Sequence, residues 1–279
     1  MIGVIPAAGE GTRMYPWIRA APKEMILYGH KPVLVHCLDI LKDCGVNEVC
    51  IITGHQKGAL MDYIGNGENC GLHVDYTFQV ERKGLGHAIL CSEKRVMGSS
   101  SDSFIVFLGD TFVEPDNDIK KLIQNHNDKK PIASIIVEPV SDPSKYGIVK
   151  LENINNGIAD IVDLFEKPNE EERKPFEIEG KYYVIAGVYV LNKKMFDYLK
   201  STKPGYGGEI QLTDALKLAL SNNEKMNAVI LSGRRLDFGN WQNYLKMQKE
   251  FFTRISEEEL KKISEELNSL AEKYRSNGK

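Results

Sequence analysis

The sequence predicts an α/β fold with a mixed, mostly parallel sheet and a helical C-terminal tail. Short apolar segments typical of buried strands alternate with amphipathic helix patterns through the first half of the chain. The second half has strand patterns joined by polar turns, and the segment from residue 240 onward has helix patterns. Strands separated by helices pair in parallel through right-handed crossovers, and ligands bind beyond the carboxyl ends of such strands. Functional side chains are therefore expected at that edge of the sheet.

The alternation in the first half is regular. The strand patterns are short apolar runs, at residues 2–5, 48–53, 74–78, 104–108 and 133–137. The helix patterns between them cover residues 32–44, 57–64, 87–96 and 119–127. In the first of these helices the apolar side chains recur at helical spacing: Val33, Leu34, Cys37, Leu38 and Leu41. Gly65 ends the second helix, and a glycine turn precedes the third.

The second half is less regular and is expected to be partly antiparallel. Its strand patterns are joined by polar turns, at residues 147–152, 158–166 and 182–191. Residues 169–180 are charged and include Pro175, so we expect an exposed loop there. Residues 210–221 have the pattern of a helix.

The tail is expected to form one or two helices. Ser256 and Glu259 have the spacing of a capping box, which marks a helix start. The apolar residues that follow form a stripe: Leu260, Ile263, Leu267 and Leu270. The stripe either folds back on the body of the protein or is buried against a second subunit.

Composition excludes several classes of protein. The chain has 279 residues and a net charge of −3, so it can bury a sizeable core and has no bulk excess of positive charge for nucleic acid. No apolar run approaches the length of a membrane span, and no basic segment precedes the first strand as in a secretory signal. The odd number of cysteines, five, with no C-x-x-C pair argues for reduced thiols in the cytoplasm and against zinc.

A glycine loop follows the first strand and predicts a nucleotide site. Residues 2–14 read IGVIPAAGEGTRM, and Lys23 follows ten residues after Arg13. Glycine loops expose backbone N–H groups, and two cations complete a cradle for a polyphosphate. The third position of a dinucleotide fingerprint is Met14 here, and the chain has no Walker Gly-Lys-Ser or Gly-Lys-Thr sequence. We therefore expect a nucleoside triphosphate, the alternative being a plain strand-to-helix turn.

Two aspartates at strand ends are candidate metal ligands. Asp110 follows the apolar strand at 104–108, and Asp237 lies at the end of another strand, in the sequence RRLDFG. Mg²⁺ takes one or two carboxylates together with phosphate oxygens, whereas the simpler interpretation is that each aspartate caps a turn.

Lys167 and Glu166 end a further strand, where a lysine can bind a phosphate and a carboxylate can bind a diol. Their simpler interpretation is a surface ion pair.

Taken together and in order, these motifs resemble the sugar-1-phosphate nucleotidylyltransferases. After the glycine loop and Lys23, the match continues through a series of short strings: Gln79, 83–88 (KGLGHA), 108–110 (LGD), 145–147 (KYG), 165–168 (FEKP), 186–187 (AG), 208–214 (GEIQLTD) and 237–239 (DFG). It covers roughly residues 1–245. The strings around Lys23, 83–88 and 208–214 look most like bacterial-type UTP–glucose-1-phosphate uridylyltransferases, with the thymidylyltransferases as near neighbours.

The resemblance implies a Rossmann-like nucleotidyltransferase domain at residues 1–245 and a helical tail at 246–279 that is a candidate dimer contact. The nucleotide-binding half would be about 1–130 and the sugar-phosphate-binding half about 131–245. The reaction implied is NTP plus sugar 1-phosphate giving NDP-sugar and pyrophosphate, with Mg²⁺ as cofactor. The resemblance implies small-molecule substrates and no nucleic-acid or membrane partner, and we expect a homodimer or homotetramer.

The site residues implied by the resemblance fall into groups. The base and nucleoside would be held by Ala7, Ala8, Gly9, Gly11, Gln79 and Gly84. The catalytic group would comprise Arg13 and Lys23 on the triphosphate, Asp110 and Asp237 on Mg²⁺, and Lys167 on the sugar phosphate. The sugar would be held by Gly147, Glu166, Ala186 and Gly187. His87 is interpreted as a packing or helix-start residue and not as a base.

Some positions depart from the family pattern and leave the choice between UTP and dTTP open. Tyr28 stands where many relatives have proline, and Thr111 stands where several uridylyltransferases have a second aspartate. The rival from another class is a regulatory subunit that binds sugar nucleotides without catalysis. Loss of Arg13, Lys23 or either metal aspartate would favour that rival, and all four are present. A nicotinamide oxidoreductase is a more distant alternative.

Overall fold

The computed structural model describes residues 1–55 and 57–277. Its strands are β1 Ile2–Pro6, β2 Leu27–Tyr28, β3 Lys31–Pro32, β4 Glu48–Thr53, β5 His73–Phe78, β6 Ser103–Phe107, β7 Thr111–Glu114, β8 Ala133–Val140, β9 Gly147–Asn155, β10 Ile158–Glu166, β11 Tyr182–Asn192, β12 Met226–Ile230 and β13 Arg234–Asp237. Its α-helices are α1 Val33–Asp43, α2 Gly58–Ile64, α3 Leu85–Cys91, α4 Glu93–Met97, α5 Asn117–Lys129, α6 Glu170–Arg173, α7 Met195–Ser201, α8 Leu212–Ser221, α9 Trp241–Arg254 and α10 Glu257–Asn277.

Within the described residues, nine strands form one mixed sheet in the order β5-β4-β1-β6-β11-β8-β12-β10-β9. The first four strands in this order are parallel, and β11 joins them antiparallel to β6. The remaining strands include one parallel pair, β12 with β8, among antiparallel pairs. The mixed sheet, the parallel first half and the partly antiparallel second half are confirmed. The prediction that the sheet is mostly parallel is wrong, because its described strands form four parallel and five antiparallel pairings.

The junction between β6 and β11 brings two distant parts of the chain together at the carboxyl edge of the sheet. Val188 pairs with Phe107, the last residue of β6. The register of β11 with β8 is interrupted between Ile185 and Tyr189, and Gly187 lies in this irregularity with a positive φ of 88°. The backbone carbonyl of Gly187 accepts a hydrogen bond of 3.0 Å from Leu108 N–H. The loop after β6 is therefore attached to the middle of β11.

The two faces of the sheet bury separate apolar layers. Side chains alternate across a strand, so Val4 packs into the layer under α3, α7 and α8, while Ile5 packs into the layer with α1 and α5. Gly3 leaves room on the α1 side, because a β-carbon there would lie 3.2 Å from Leu41 Cδ1. Helices on both faces explain why β1 is a nearly continuous apolar run.

Several details differ from the sequence-based expectations. The short strand β7 was not expected; it pairs with β13 and carries the chain away from Asp110. The helix expected at 87–96 is divided at Ser92 into α3 and α4. The prediction of an exposed loop at 169–180 is wrong in part, because Asn169 and Glu172 form a capping box that starts α6 and Phe176 is 3% exposed. Periodicity could not reveal Phe176, since it is an isolated apolar residue in a charged segment.

The tail forms two helices, as expected, and the second is attached to the body. The capping box at its start is confirmed: Glu259 N–H donates to Ser256 Oγ over 3.2 Å, and Ser256 N–H donates to Glu259 Oε2 over 2.8 Å. Glu266 lies 3.3 Å from His30 Nε2 and forms an ion pair with Lys31 at 3.2 Å. The side chain of Leu270, expected in the apolar stripe, lies outside the described side chains. Among the described helices none combines the length and apolar content that crossing a bilayer would require.

Candidate active site

The glycine loop after β1 closes over Lys23. Gly11 has a positive φ of 69°, and a β-carbon there would lie 3.1 Å from Lys23 Cδ. A β-carbon on Gly9 would lie 3.8 Å from Lys23 Nζ. The loop then enters the 3₁₀ helix Thr12–Met14, which carries Arg13. The glycines thus let the backbone approach the ammonium group while Arg13 is directed into the neighbouring cavity.

Lys23 and Asp110 form a partly buried ion pair between this loop and the end of β6. Burial by itself would lower the pKa of Lys23, but the Asp110 carboxylate more than offsets it and the pKa is raised. Burial would likewise raise the pKa of Asp110, but Lys23, helped by Arg13, holds it below its usual value. Both groups therefore stay ionised at neutral pH.

Three of the predicted catalytic side chains converge at Gly239. Measured from an ideal β-carbon on this glycine, their nearest atoms are Asp237 Oδ1 at 3.0 Å, Arg13 Nη2 at 3.2 Å and Asp110 Oδ2 at 3.6 Å. Gly239 N–H also donates a 2.8 Å hydrogen bond to Asp237 Oδ1. Any larger residue at 239 would occupy the point where these groups meet. The structure therefore joins the ends of β6 and β13, as their positions after strands suggested.

The convergence point opens into a cavity of about 650 Å³. The predicted site residues that line this cavity are Arg13, Asp110, Gly147, Glu166, Ala186, Gly187 and Asp237. Glu166 is oriented by Thr213, whose hydroxyl donates to Glu166 Oε2 over 2.7 Å. A β-carbon on Gly147 would lie 3.0 Å from that same oxygen. Residues 147, 166 and 187 thus share one space with the two strand-end aspartates.

A second cavity, of about 450 Å³, lies on the other side of the glycine loop. It is lined by Gly9, Glu10, Thr12, Tyr15, Ile18, Arg19, Pro22, His55, Lys57 and Arg82. Lys57 forms a 2.8 Å ion pair with Glu24, and the two side chains are 6% and 1% exposed. No pattern in the sequence indicates this pair, because its members belong to separate elements.

Gln79 and Gly84 contact each other and line neither of these two cavities. Gln79 Nε2 donates to Gly84 O over 3.2 Å and lies 3.0 Å from His87 Nδ1. His87 is in the first turn of α3, and burial lowers its pKa. These contacts agree with the interpretation of His87 as a helix-start residue. Ala7 and Ala8 are buried at the end of β1.

Lys167 is not brought into the main cavity. It has a positive φ of 46°, and its ammonium lies 3.6 Å from Glu166 Oε1 and 4.8 Å from the centre of the Tyr206 ring. It lines a separate hollow of about 430 Å³ on the outer side of Glu166. Arg235 also lines the main cavity, although the sequence did not predict it as a site residue. Its position two residues before Asp237 on a strand was the available signal, since residues i and i+2 face the same side.

The geometry fits a protein that holds a phosphorylated nucleotide and a second small substrate at one carboxylate-lined cavity, and the comparisons with known proteins agree. Residues 2–254 match the family model of the nucleotidyl transferases, and the chain belongs to this enzyme family. It is 32% identical to the UTP–glucose-1-phosphate uridylyltransferase of Pseudomonas aeruginosa over 87% of this chain and 92% of the relative. It is 27% identical to the glucose-1-phosphate thymidylyltransferase of Streptomyces antibioticus, over 89% of this chain and 65% of that protein.

A solved structure supports the same placement. The crystal structure of a UDP-glucose pyrophosphorylase complexed with UDP-glucose superimposes with a TM-score of 0.82 and 28% identity, over 91% of this chain and 99% of that chain. The nucleotidyltransferase fold expected from the resemblance is therefore confirmed.

Proposed function

We propose that this protein transfers a uridylyl group from UTP to glucose 1-phosphate, giving UDP-glucose and pyrophosphate. The observation that carries the proposal is the single cavity in which Arg13, the two strand-end aspartates and the predicted sugar residues meet. The similarity to proteins named uridylyltransferase or pyrophosphorylase supports the same reaction.

The chemistry needs no general base. A sugar phosphate is mostly dianionic at neutral pH, because the second pKa of a phosphate monoester is near 6. One of its oxygens forms a bond to the α-phosphorus of the nucleotide, and the bond to pyrophosphate breaks with the electron pair leaving on pyrophosphate. The barrier is the approach of two anions, so positioning and charge neutralisation supply the catalysis. Arg13 and Lys23 would hold the triphosphate against the glycine loop.

The remaining roles follow the two sides of the site. We assign the base and nucleoside to Ala7, Ala8, Gly9, Gly11, Gln79 and Gly84. We assign the sugar to Gly147, Glu166, Ala186 and Gly187, and its phosphate to Lys167. In this arrangement the nucleotide lies over the parallel strands β1, β4 and β5, and the sugar phosphate lies over β9, β10 and β11.

The residues at the convergence point fit a magnesium ion. Asp110 and Asp237 supply hard oxygen ligands, and Mg²⁺ needs only one or two carboxylates when phosphates and water complete its shell. When bound, Mg²⁺ would neutralise phosphate charge in the transition state. The Asp110 carboxylate is paired with Lys23, and it would be shared between Lys23 and such an ion.

A glucose-1-phosphate thymidylyltransferase is the second candidate. The similarity to the Streptomyces antibioticus protein favours it, as does Thr111 at a position where several uridylyltransferases have aspartate. The two candidates share every step except recognition of the base and of the 2′-hydroxyl.

We further propose that the protein acts as a homodimer or homotetramer in the cytoplasm. The tail helices expose large apolar side chains seven residues apart, which puts each pair on one face of its helix: Leu245 and Phe252 on α9, and Leu260 and Leu267 on α10. These four are 62%, 64%, 47% and 44% exposed. The five unpaired cysteines suit a reducing compartment.

The deciding experiment measures pyrophosphate release over a matrix of nucleoside triphosphates and sugar 1-phosphates with Mg²⁺. We expect the highest kcat/KM with UTP and glucose 1-phosphate, and a lower value with dTTP. A preference for dTTP would select the second candidate. Binding of UDP-glucose without turnover of any pair would show the non-catalytic regulatory subunit instead.

A further inference from the structure

Arg235 is a partly buried cation that faces the main cavity from β13. It pairs with Val113 in the register of β7, two positions from Asp237, which pairs with Thr111. Its side chain is 11% exposed and lines the cavity together with Asp237. Its neighbour Arg234 points to the opposite face of the strand and forms 2.7 Å ion pairs with Glu114 and Glu250. The strand β13 thus directs Arg235 into the site and the preceding Arg234 away from it.

The Arg235 guanidinium is fixed from two directions. Glu138 Oε1 lies 2.5 Å from Arg235 Nη2, and the guanidinium carbon lies 4.4 Å from the centre of the Tyr146 ring. Stacking occupies a face of the planar group and leaves its edge free to donate. Since a guanidinium has five N–H donors and the contact with Glu138 uses one nitrogen, donors remain for a ligand in the cavity.

Arg235 also stands where the sugar phosphate would need a charge. The cations lining the main cavity in the described chain are Arg13, Lys145 and Arg235. Arg13 approaches the metal aspartates, and Lys145 is exposed. Tyr146, on which Arg235 stacks, directly precedes Gly147 of the sugar site, and its carbonyl accepts a 3.1 Å hydrogen bond from Lys167 N–H. Arg235 and Lys167 therefore flank the same short segment of backbone.

We propose that Arg235 binds the phosphate of the sugar 1-phosphate and aims its attacking oxygen, an inference that rests on the proposed function. A guanidinium fork matches two phosphate oxygens at once, whereas a lysine supplies a point charge. Arg235 would hold two oxygens of the dianion and leave the third directed at the α-phosphorus. Glu138 and Tyr146 keep the fork in place before the substrate arrives, which lowers the entropy lost on binding. Lys167 would approach the same phosphate from the outer side of Glu166.

The test compares matched glutamine variants of the two adjacent arginines. Arg235→Gln is expected to raise KM for glucose 1-phosphate by about tenfold to hundredfold, the loss expected for a charge-assisted phosphate contact, while KM for UTP changes less than about twofold. Arg234→Gln removes the same charge on the other face of β13 and is expected to leave both KM values unchanged. Arg235→Lys keeps the charge without the fork and is expected to recover only part of the loss.

Calorimetric titration with glucose 1-phosphate, without nucleotide or metal, supplies a second readout. Weaker binding to Arg235→Gln than to the wild type and to Arg234→Gln supports the inference, and equal binding overturns it. An equal rise of both KM values, or a rise for UTP alone, also overturns it. If Arg235→Gln does not fold, Arg235→Lys carries the same comparison. A wild type that releases no pyrophosphate from any substrate pair refutes the proposed function, while the titration still decides whether Arg235 binds the sugar phosphate.

Discussion

Among single residues, Asp110 is held by charges from two other parts of the site. It is paired with Lys23, influenced by Arg13, and directed at Gly239. A strand end predicted the position of this carboxylate, because chemistry collects at the carboxyl edge of parallel strands. The pairing with Lys23 could not be predicted, because it joins residues 87 positions apart in the chain. The local sequence pattern thus predicted where Asp110 lies but not that it pairs with Lys23.

We expect Asp110→Asn and Asp237→Asn each to lower kcat with Mg²⁺ by at least about 10²–10³, the scale of removing one key electrostatic group. Amide side chains keep the size of the carboxylates but lose the charge that a metal requires. Steady-state kinetics over a range of Mg²⁺ concentrations checks this. The exposed Asp62 provides the matched control, since Asp62→Asn removes one carboxylate from the surface of α2. A normal rate in either site variant would show that its carboxylate is structural.

His126 makes stability depend on pH far from the site. It is 2% exposed and lies between two serine hydroxyls, Ser103 Oγ at 2.9 Å and Ser134 Oγ at 3.0 Å. Burial lowers the pKa of His126 to about 4. The unfolded chain, with a histidine pKa near 6.5, therefore binds the proton more tightly than the folded protein. The contribution of His126 is complete above the unfolded pKa and is lost as pH falls toward 4.

We expect the free energy of unfolding to drop by about 2 kcal/mol between about pH 7.5 and about pH 5 through this residue. Urea unfolding at a series of pH values measures the drop. The His126→Asn variant, which has no titrating ring, isolates this contribution from the other ionisable groups. An identical pH slope in the wild type and in the variant would rule out the assignment to His126.

Between elements, the ion pair of Glu24 with Lys57 connects the 3₁₀ helix Lys23–Met25 to the start of α2. This ion pair lies next to the loop between β6 and β7, since a β-carbon on Gly109 would lie 3.2 Å from Glu24 Cγ. Removing one partner would leave an unpaired charge in a buried position. We expect Lys57→Met to destabilise the fold by about 3–5 kcal/mol, the cost of breaking a buried pair from one side.

Thermal or urea unfolding checks this expectation against an exposed pair of the same chemistry. Lys262 and Glu258 lie 2.9 Å apart on α10 with side chains 70% and 78% exposed. Lys262→Met should therefore change stability by less than about 1 kcal/mol. Equal effects of the two substitutions would mean that water screens the Lys57 pair as well.

At the scale of the whole molecule, the tail helices are predicted to mediate self-association. Burying four large apolar side chains against a second copy would remove them from water, whereas a charge in place of one of them would oppose this burial. We expect Phe252→Glu to shift the protein toward the monomer, as measured by light scattering with size-exclusion chromatography.

The matched control for this prediction is the exposed Ser269. Helical spacing puts it on the side of α10 opposite Leu260 and Leu267, so Ser269→Glu adds a charge to the tail without touching the apolar face. We expect this variant to keep the oligomeric state of the wild type. A wild-type protein that is already monomeric contradicts the proposed assembly.

The overall architecture was predictable because it depends on repeated signals. Strands such as Glu48–Thr53 and Ile158–Glu166 begin and end where their apolar patterns do. The capping box at Ser256 also marked the start of the last helix, because it is a local pattern of two residues three positions apart. What could not be read from the chain depends on single residues meeting over long distances, as Arg235 meets Glu138 and Tyr146. A lone arginine in a four-residue strand has no periodicity to distinguish it.

The antiparallel pairing of β6 with β11 has a consequence for how substrates enter and leave. Five consecutive residue pairs, from Val188↔Phe107 to Asn192↔Ser103, join the sheet halves without a break. In the proposed reaction both substrates would bind over this one continuous sheet, so we do not expect its two halves to separate. Residues 203–208, which include three glycines, carry Tyr206 against Lys167 at the edge of the site. We therefore expect movement around the substrates to come from this short segment, with the pairing of β6 and β11 unchanged.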